Sequence, residues 1–374
     1  MSRQRFPFVA IAGGAALFVL VELLAFYVPL YRALIDPNST TGAFEGTIAG
    51  LGAVRTDPRR DVLVLGDSRI YSGLDPAVAS AASGGRLRFV DGSVPGTTPR
   101  CWYFFARAVD PASRRFRAIV VPVDTYADDD SAIGSLDGDR RELDLHYIVF
   151  RVEPADVAKL AASFGDWHAR LTVGANVLLR GPELRDDVQA LAANPAARLQ
   201  ALAAARASEP YDPFRAHPRS ETLAGLRADF ARGRIDAPRG VDAAERAAIA
   251  VQVLHVARPS ASYALYRRRW LGPIVERYAA AGVPVIFVRL PTRPLARASA
   301  PAASGSLLEM ARAPGVRLLP QAPYLALERP ALFADHDHLD ARGSRAFSAQ
   351  LGRDVEGALA AMAPPAADPS RRDP

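Results

Sequence analysis

The fold of this chain depends on the stretch VLVLGDSR at residues 62–69. Four consecutive apolar residues open it, which is typical of a strand buried on both faces of a parallel sheet. The run ends at Gly66, and the hydroxyl of Ser68 follows two residues later. Ligands of open α/β sheets bind beyond the carboxyl ends of the strands, so Ser68 is a candidate functional residue.

A second motif with chemical potential lies near the other end of the chain, DHDHL at residues 335–339. Asp335 and His338 supply a carboxylate and an imidazole three positions apart. Serine is a weak nucleophile at neutral pH, and it needs a base within hydrogen-bond reach and a third group that orients the base. Ser68, His338 and Asp335 are therefore the candidate nucleophile, base and orienting acid.

Each motif also has a simpler interpretation. A serine directly after a strand often caps a helix. Residues 335–338 could form a surface turn, or a metal cluster in which His336 and Asp337 take part. No second group of His, Asp or Glu with recognisable ligand spacing accompanies them, so we expect no metal and no cofactor. His146, His168, His217 and His255 each stand alone in the sequence and are interpreted as structural.

Further apolar runs predict four more strands, at 87–90, 118–123, 282–291 and 316–319. Helical patterns separate them, at 76–82, 100–109, 262–281, 307–313 and 341–362. Strands that alternate with helices indicate an α/β fold with a mostly parallel five-stranded sheet covered on both faces. Residues 127–259 interrupt this alternation. They are rich in Ala, Arg and Leu and predict a helical insertion, which could be a lid, a docking surface or padding on the fold.

The N-terminal segment 6–31 is long enough to cross a hydrocarbon core that requires about 20 apolar residues. Arg3 and Arg5 precede it, and positive flanks stay cytoplasmic, so the rest of the chain is expected outside that membrane. A cleaved signal peptide is the rival interpretation, but its apolar region is usually about 7–15 residues long and ends in a small-x-small site. Residues 31–35, YRALI, offer no such site. An uncleaved anchor is the better interpretation.

The anchor defines the predicted domain plan. Residues 1–5 form a cytoplasmic N-terminus, 32–59 a stalk, 60–362 the α/β domain with its insertion, and 363–374 a disordered tail rich in Pro and charge. Glu22 lies inside the apolar segment. Such carboxylates either contact a partner helix or stay protonated or snorkel to the interface.

Composition excludes some functions and leaves others open. The net charge is +6, but the arginines are scattered and no nucleic-acid motif is present, so we expect no nucleic-acid partner. Cys101 is the only cysteine, which rules out an intrachain disulfide and is compatible with either redox compartment.

The motifs resemble those of the SGNH (GDSL-like) hydrolase superfamily. Gly66-Asp67-Ser68 after a strand matches the first block of that family, Asp335-x-x-His338-Leu339 matches the last, and Gly96 fits the glycine of the second block. The resemblance covers roughly 60–123 and 262–360. It implies a three-layer α/β/α sandwich of flavodoxin-like type. It also implies that Ser68 is the nucleophile, that His338 is the base and then the acid, that Asp335 orients His338, and that the N–H groups of Ser68 and Gly96 bind the oxyanion.

Two positions depart from the family pattern. An oxyanion asparagine should follow the third strand, but Asp124 stands there, and an ionised carboxylate cannot donate a hydrogen bond. Loss of one oxyanion donor costs about 3–4 kcal/mol of transition-state stabilisation. Either a backbone N–H group replaces the missing donor, or Asp124 is protonated, or hydrolysis is slow. Arg69 stands where many relatives carry leucine; it could hold an acidic group of the substrate, or pair with a nearby acid.

The architecture of one anchor helix, a stalk, an SGNH-like domain and a helical insertion resembles membrane-anchored proteins that accompany membrane-bound O-acyltransferases in alginate or teichoic-acid modification. That resemblance implies an outward-facing bacterial inner-membrane protein that acts on acyl esters, typically acetyl esters, of an envelope or exported polysaccharide. It also implies a membrane acyltransferase as a partner. Transfer and hydrolysis stay open, as does a non-catalytic scaffold or glycan-binding subunit, which the substitution of Asp124 favours.

Overall fold

A computed structural model describes residues 5–28, 30–128, 140–164, 167–208, 211–255, 261–295 and 301–362. The chain divides into two units. We call the first the helical unit; it comprises Met1–Val54, Thr97–Val109 and Ser135–Asp212. The second, which we call the sheet unit, comprises Arg55–Gly96, Asp110–Gly134 and Pro213–Pro374.

The strands of the described residues all belong to the sheet unit. In chain order they are β1 Asp61–Gly66, β2 Arg88–Ser93, β3 Ala118–Val123, β4 Arg227–Asp229, β5 Arg234–Asp236, β6 Val285–Arg289 and β7 Val316–Leu318. β4 and β5 pair antiparallel, whereas the other five form one parallel sheet in the order β2-β1-β3-β6-β7. The α/β class and the five-stranded parallel sheet predicted from the sequence are confirmed.

Helices occupy most of the remaining described residues. In chain order they are α1 Arg5–Glu22, α2 Thr40–Ala53, α3 Ser68–Gly73, α4 Pro76–Ala82, α5 Pro99–Val109, α6 Arg140–Ile148, α7 Val157–Ala161, α8 Trp167–Leu178, α9 Arg180–Glu183, α10 Arg185–Ala193, α11 Pro195–Ala207, α12 Ala243–Leu254, α13 Ala261–Ala280, α14 Gly305–Met310, α15 Ala322–Leu325 and α16 Ala341–Met362. A π-helix, Leu23–Tyr27, continues α1, and short 3-10 turns lie at Tyr31–Leu34, Pro154–Asp156 and Pro330–Leu332.

The central strands are buried along their whole length, which explains their unbroken apolar sequences. Every residue of β1, β3 and β6 is buried. A strand covered on both faces has no polar side to alternate with. On one face, Val62 and Val64 of β1 share a core with Phe347, Leu351 and Val355 of α16. The predicted final helix therefore closes one side of the sheet.

The order of the strands reverses at β1. This strand pairs with β2 on one side and with β3 on the other, so the chain leaves β1 in one direction and returns to its opposite edge. The loops that follow β1 and β3 therefore diverge at the carboxyl end of the sheet. Such a switch point is where open α/β sheets bind ligands, and Ser68 directly follows β1.

The predicted insertion, 127–259, is divided between the two units. Its described residues 140–212 belong to the helical unit, whereas Ala127, Asp128 and the described residues from Pro213 onward belong to the sheet unit. Leu223, Leu226 and Ile249 lie in the same core as β1 and α16. The C-terminal third of the predicted insertion is therefore part of the α/β core, because its apolar side chains cover the sheet.

The predicted stalk, 32–59, is largely helical instead of extended. Helix α2 is capped by the Ser39 hydroxyl, which accepts from the N–H of Gly42, and it buries Phe44 and Leu51 completely. Its glycines suggested a linker, but Gly50 serves packing. A Cβ there would lie 2.9 Å from the Cβ of Tyr211. Helix α2 therefore belongs to the core of the helical unit.

One N-terminal helix is long and apolar enough to cross a membrane or to act as a signal anchor. The window Ala10–Tyr27 has a mean hydropathy of 2.1 and almost no buried surface. Glu22 is the last residue of α1. It is buried, and its Oε1 accepts from the backbone N–H of Gly181 within the helical unit at 2.8 Å. Residues 1–4 and the predicted tail, 363–374, lie outside the described residues.

Candidate active site

The turn from β1 into α3 presents Ser68 at the edge of the sheet. Gly66 is required there because a Cβ on it would lie 2.4 Å from the Cβ of Ile70, which folds back over the turn. The carboxylate of Asp67 caps α3 by accepting from the N–H of Arg69 at 2.9 Å. The N–H of Val94 donates to the carbonyl of Gly66 and ties the end of β2 to the same turn. Ser68, the first residue of α3, is half-buried.

A tight turn before α16 presents His338. Asp335 Oδ1 accepts from the backbone N–H groups of Asp337 and His338, at 3.1 and 2.8 Å. An aspartate that bonds the backbone two and three residues later fixes a turn. The carboxylate of Asp340 then accepts from the N–H groups of Arg342 and Gly343 at the start of α16. The backbone of the His338 turn is therefore fixed by hydrogen bonds to carboxylates both before and after it in the chain.

The structure brings Ser68, His338 and Asp335 together. His338 Nε2 lies 2.8 Å from Ser68 Oγ. On the other side of the ring, Nδ1 lies 2.9 and 3.0 Å from the two carboxylate oxygens of Asp335. These distances are within hydrogen-bond range, and they match the contacts of a nucleophile, a base and an orienting acid.

Asp337 adds a second carboxylate at the same ring nitrogen. Its Oδ1 lies 2.8 Å from His338 Nδ1 and 3.5 Å from His336 Nε2. Burial alone would lower the pKa of His338, but the carboxylates of Asp335 and Asp337 outweigh burial and raise this pKa to about 9. Burial would likewise raise the pKa of Asp335, but its bonds to His338 hold it well below the usual range. The His338 imidazole is therefore held mainly in its protonated form at neutral pH.

Arg219 is a member of the site that the sequence did not reveal. Its Nη1 donates to Asp335 Oδ2 at 2.8 Å, with about half of the side chain exposed. The N–H of Leu223 bonds to the carbonyl of Phe333, which holds this part of the chain beside the turn of His338. His217, interpreted as an isolated histidine, lies in the same segment and stacks on Tyr71 of α3 with ring centroids 4.3 Å apart.

Arg69, the residue after Ser68, forms an ion pair with Asp124. The Nη1 of Arg69 lies 2.5 Å from Asp124 Oδ1, while its Nε and Nη2 bond to both carboxylate oxygens of Asp67, the closest at 2.7 Å. Burial would lower the pKa of Arg69, but the charges of Asp124 and Asp67 raise it well above its ordinary value. Burial would raise the pKa of Asp67, but the charge and hydrogen bonds of Arg69 lower it. Of the two roles expected for Arg69, the pairing with nearby acids is observed.

Gly96 lies in the turn that follows β2. Its φ of +79° is in the left-handed region that favours glycine. The turn starts next to the turn that carries Ser68, because Val94 is bonded to Gly66 and Ser93 is in register with Gly66. The expected oxyanion roles of the Gly96 and Ser68 N–H groups stay predictions.

The carboxylates near His338 could in principle hold a cation. One ligand atom each from Asp335, His336 and Asp337 can lie within 4.8 Å of one another. Both oxygens of Asp335 are already engaged, by His338, by two backbone N–H groups and by the Arg219 guanidinium. His336 is engaged by Glu245, whose carboxylate lies 3.2 Å from Nδ1. Because Asp335 and His336 already have these partners, the cluster is better interpreted as a proton-transfer site than as a metal site.

No protein-family model matches the chain, and a search of curated proteins returned no significant match.

Proposed function

We propose that this protein is a membrane-anchored serine esterase or O-acyltransferase of SGNH type that acts on acyl esters of a cell-envelope or exported polysaccharide. The observation that carries the proposal is the 2.8 Å contact between Ser68 Oγ and His338 Nε2, with Asp335 on the opposite ring nitrogen. Ser68 and His338 are 270 residues apart in the chain, and they meet at the edge of the sheet where ligands of such folds bind.

The order of the sheet supports the proposed SGNH-type sandwich. Counting only the five strands of the large sheet, the order β2-β1-β3-β6-β7 corresponds to 2-1-3-4-5. This is the flavodoxin-like order, with its switch point beside the first strand. Burial of β1, β3 and β6 on both faces is what a three-layer α/β/α arrangement requires.

The chemistry follows from the positions of the three side chains. Ser68 Oγ attacks the ester carbonyl while His338 Nε2 takes the hydroxyl proton, and Asp335 stabilises the imidazolium that forms. His338 then returns the proton to the departing alcohol, which leaves an acyl-serine. Water or a sugar hydroxyl attacks the acyl carbon, gives its proton to His338, and restores Ser68. Water as the acceptor gives hydrolysis, and a sugar hydroxyl gives transfer.

The apolar N-terminal helix supports the choice of substrate. With Arg3 and Arg5 on the cytoplasmic side, residues 6–31 are the anchor of a single-pass protein of the bacterial inner membrane, and the α/β unit is periplasmic. An enzyme held at that place meets acylated envelope glycans. A membrane-bound O-acyltransferase is the partner that would supply or share acyl groups there.

One observation favours a second candidate function, a glycan-binding or scaffold subunit without ester chemistry. Asp124 is paired with Arg69 and is an acceptor where an oxyanion site needs a donor. The carboxylates of Asp335 and Asp337 raise the pKa of His338 to about 9, so the protonated imidazole predominates at pH 7. A protonated imidazole cannot take the serine proton.

A fluorophosphonate probe on the full-length protein in detergent distinguishes the two candidates. This reagent forms a covalent bond with an activated serine, so the wild type should be labelled and Ser68→Ala should not. Ser220→Ala is a matched control, because Ser220 is exposed and lies next to Arg219 without touching the triad in the described residues. Absence of wild-type labelling up to pH 10 would favour the scaffold.

A second assay separates hydrolysis from transfer. Release of acetate from a chromogenic ester is measured with and without oligosaccharide acceptors. Transfer predicts an acetylated oligosaccharide and faster release of the chromogenic alcohol when acceptor is present. A fast rate that acceptors do not change would assign the protein to the hydrolases.

A further inference from the structure

Helix α8 of the helical unit carries an exposed apolar face. Trp167, Leu171 and Leu178 are 72%, 62% and 50% exposed. Their separations of four and eleven residues place them within about 40° of one another around the helix axis. Val173 and Val177 point to a different side and are buried. α8 therefore packs with one face on the helical unit and presents large apolar side chains on another.

The C-terminal end of α8 is fixed to the last turn of the apolar N-terminal helix. The hydroxyl of Tyr27 donates to the carbonyls of Val177 and Leu178 at 3.2 and 3.1 Å. Just beyond α8, Arg180 Nη1 donates to the carbonyl of Phe26, and the guanidinium lies over the Tyr27 ring, 3.9 Å from its centroid. The contact between Glu22 and Gly181 adds a further bond at the same junction.

Exposed apolar side chains also occupy the segment that leads out of the N-terminal helix. Leu24 is 55% exposed, Val28 39% and Leu30 69%. These residues flank Tyr27, so the exposed apolar surface of the anchor continues up to the end of α8. A contiguous exposed apolar surface of this kind marks a site of interaction with a membrane or a protein.

We propose that α8 lies in the interface of the same bilayer that holds the anchor, with Trp167, Leu171 and Leu178 in contact with lipid. The twelve residues of α8 span about 18 Å, too short for the roughly 30 Å hydrocarbon core, so α8 rests in the interface and does not cross. Tryptophan with leucine on one face is typical of helices at this depth. Tyr27 and Arg180, at the junction, are residue types that favour the same layer.

This inference rests on the membrane anchor proposed above, and it adds a second attachment point. An anchor followed by an extended stalk would let the chain move freely above the bilayer. Here the exit of the anchor is bonded to α8 and α9, so the helical unit is held against the lipid surface.

Tryptophan fluorescence of the full-length protein in phosphatidylcholine liposomes tests the proposal. The chain has three tryptophans, and the other two, Trp102 and Trp270, are buried, so Trp167→Phe measures their background. Lipid brominated near the headgroup end of its acyl chains should quench wild-type emission and leave Trp167→Phe emission unchanged. Leu199→Ser, at an exposed leucine of α11, is a matched control that should keep the wild-type quenching.

The other outcomes overturn the inference, each in a recognisable way. If aqueous acrylamide but not brominated lipid quenches the Trp167 emission, α8 faces water. If neither quencher reaches Trp167, a protein surface covers α8. If the protein does not float with the liposomes, the anchor itself is absent. None of these results changes fluorophosphonate labelling of Ser68, which tests the ester chemistry separately.

Discussion

In the candidate site, Ser68, His338 and Asp335 are joined by hydrogen bonds, and we call this group the nucleophile side; Arg69 and Asp124 form an ion pair, which we call the oxyanion side. The first side has the contacts required to generate a nucleophile. The second side has a carboxylate, Asp124, at the position where the resemblance to the SGNH superfamily implies an oxyanion donor. A complete set of triad contacts therefore does not by itself determine the rate. Substitutions on the two sides should therefore change activity in opposite directions.

The largest effects are expected on the nucleophile side. Ser68→Ala and His338→Ala should each remove ester turnover, with losses on the order of 10⁶-fold in an efficient triad. Both variants should remain folded, because Ser68 is only half-buried and the turn of His338 is held by backbone bonds to Asp335. Turnover of a chromogenic ester and thermal melting measure the two properties. Residual turnover near the wild-type level in either variant would contradict the assigned roles.

Asp335→Asn should be milder than either of these substitutions. An amide at Nδ1 cannot stabilise the imidazolium and favours the wrong tautomer, which costs roughly 10⁴-fold in known triads. Asp337, whose Oδ1 lies 2.8 Å from the same nitrogen, can replace part of that function. The double variant Asp335→Asn/Asp337→Asn should therefore lose more activity than Asp335→Asn alone, because no carboxylate then remains at this nitrogen. Asp335→Asn as the most damaging single substitution would contradict this order.

On the oxyanion side, Asp124→Asn should increase activity, by about 10- to 100-fold. The amide oxygen can still accept from Arg69, which is separately held by Asp67, and the amide N–H₂ becomes a donor. Asp124→Ala is the matched control, because it removes the same charge without adding a donor. The value of kcat/KM for a chromogenic ester measures the effect. Equal increases in both variants would attribute the change to charge removal and not to oxyanion binding.

The elements that could be predicted from the sequence are those with local signals. The apolar runs predicted all five strands of the large sheet. Because loops at the carboxyl ends of parallel strands meet at one edge of the sheet, the sequence also predicted that Ser68 lies near Asp335 and His338. Helix α2 was missed because its glycines resemble a linker. The apolar spacing of Phe44, Ile48 and Leu51 is the signal that could have indicated it.

Other members of the site depend on tertiary packing that no local pattern reports. Arg219 reaches Asp335 only because the chain near Leu223 is bonded to Phe333. The pairing of Arg69 with Asp124 depends on β3 lying next to β1 in the sheet. The sequence showed the acid at position 124 but left the partner of Arg69 open.

Activity should depend on pH, because His338 must lose a proton before it can act as a base. Its pKa, raised to about 9, predicts that wild-type labelling by the fluorophosphonate probe increases with pH and levels off above about 9. Asp337→Asn removes one of the two carboxylates that raise this pKa. The midpoint should move down by about one unit, which gives roughly tenfold faster labelling at pH 7.

Rates measured between pH 5 and pH 10 test this shift. At the alkaline end His338 is neutral in both proteins, so the two labelling rates should converge there. A faster rate for Asp337→Asn at every pH would instead indicate a change in substrate access. An unchanged midpoint would show that Asp335 alone sets the pKa of His338.

The smallest effect is expected for Arg219→Ala. The Arg219 side chain is about half exposed, and an ion pair in such a position contributes at most about 1 kcal/mol, so the loss of kcat/KM should be about fivefold. High salt should lower wild-type activity toward that of the variant, because screening weakens the same pair. Arg219→Lys should recover part of the loss, since a point charge still attracts Asp335. A loss of 100-fold or more, insensitive to salt, would mean that Arg219 binds the substrate directly instead of holding Asp335 in place.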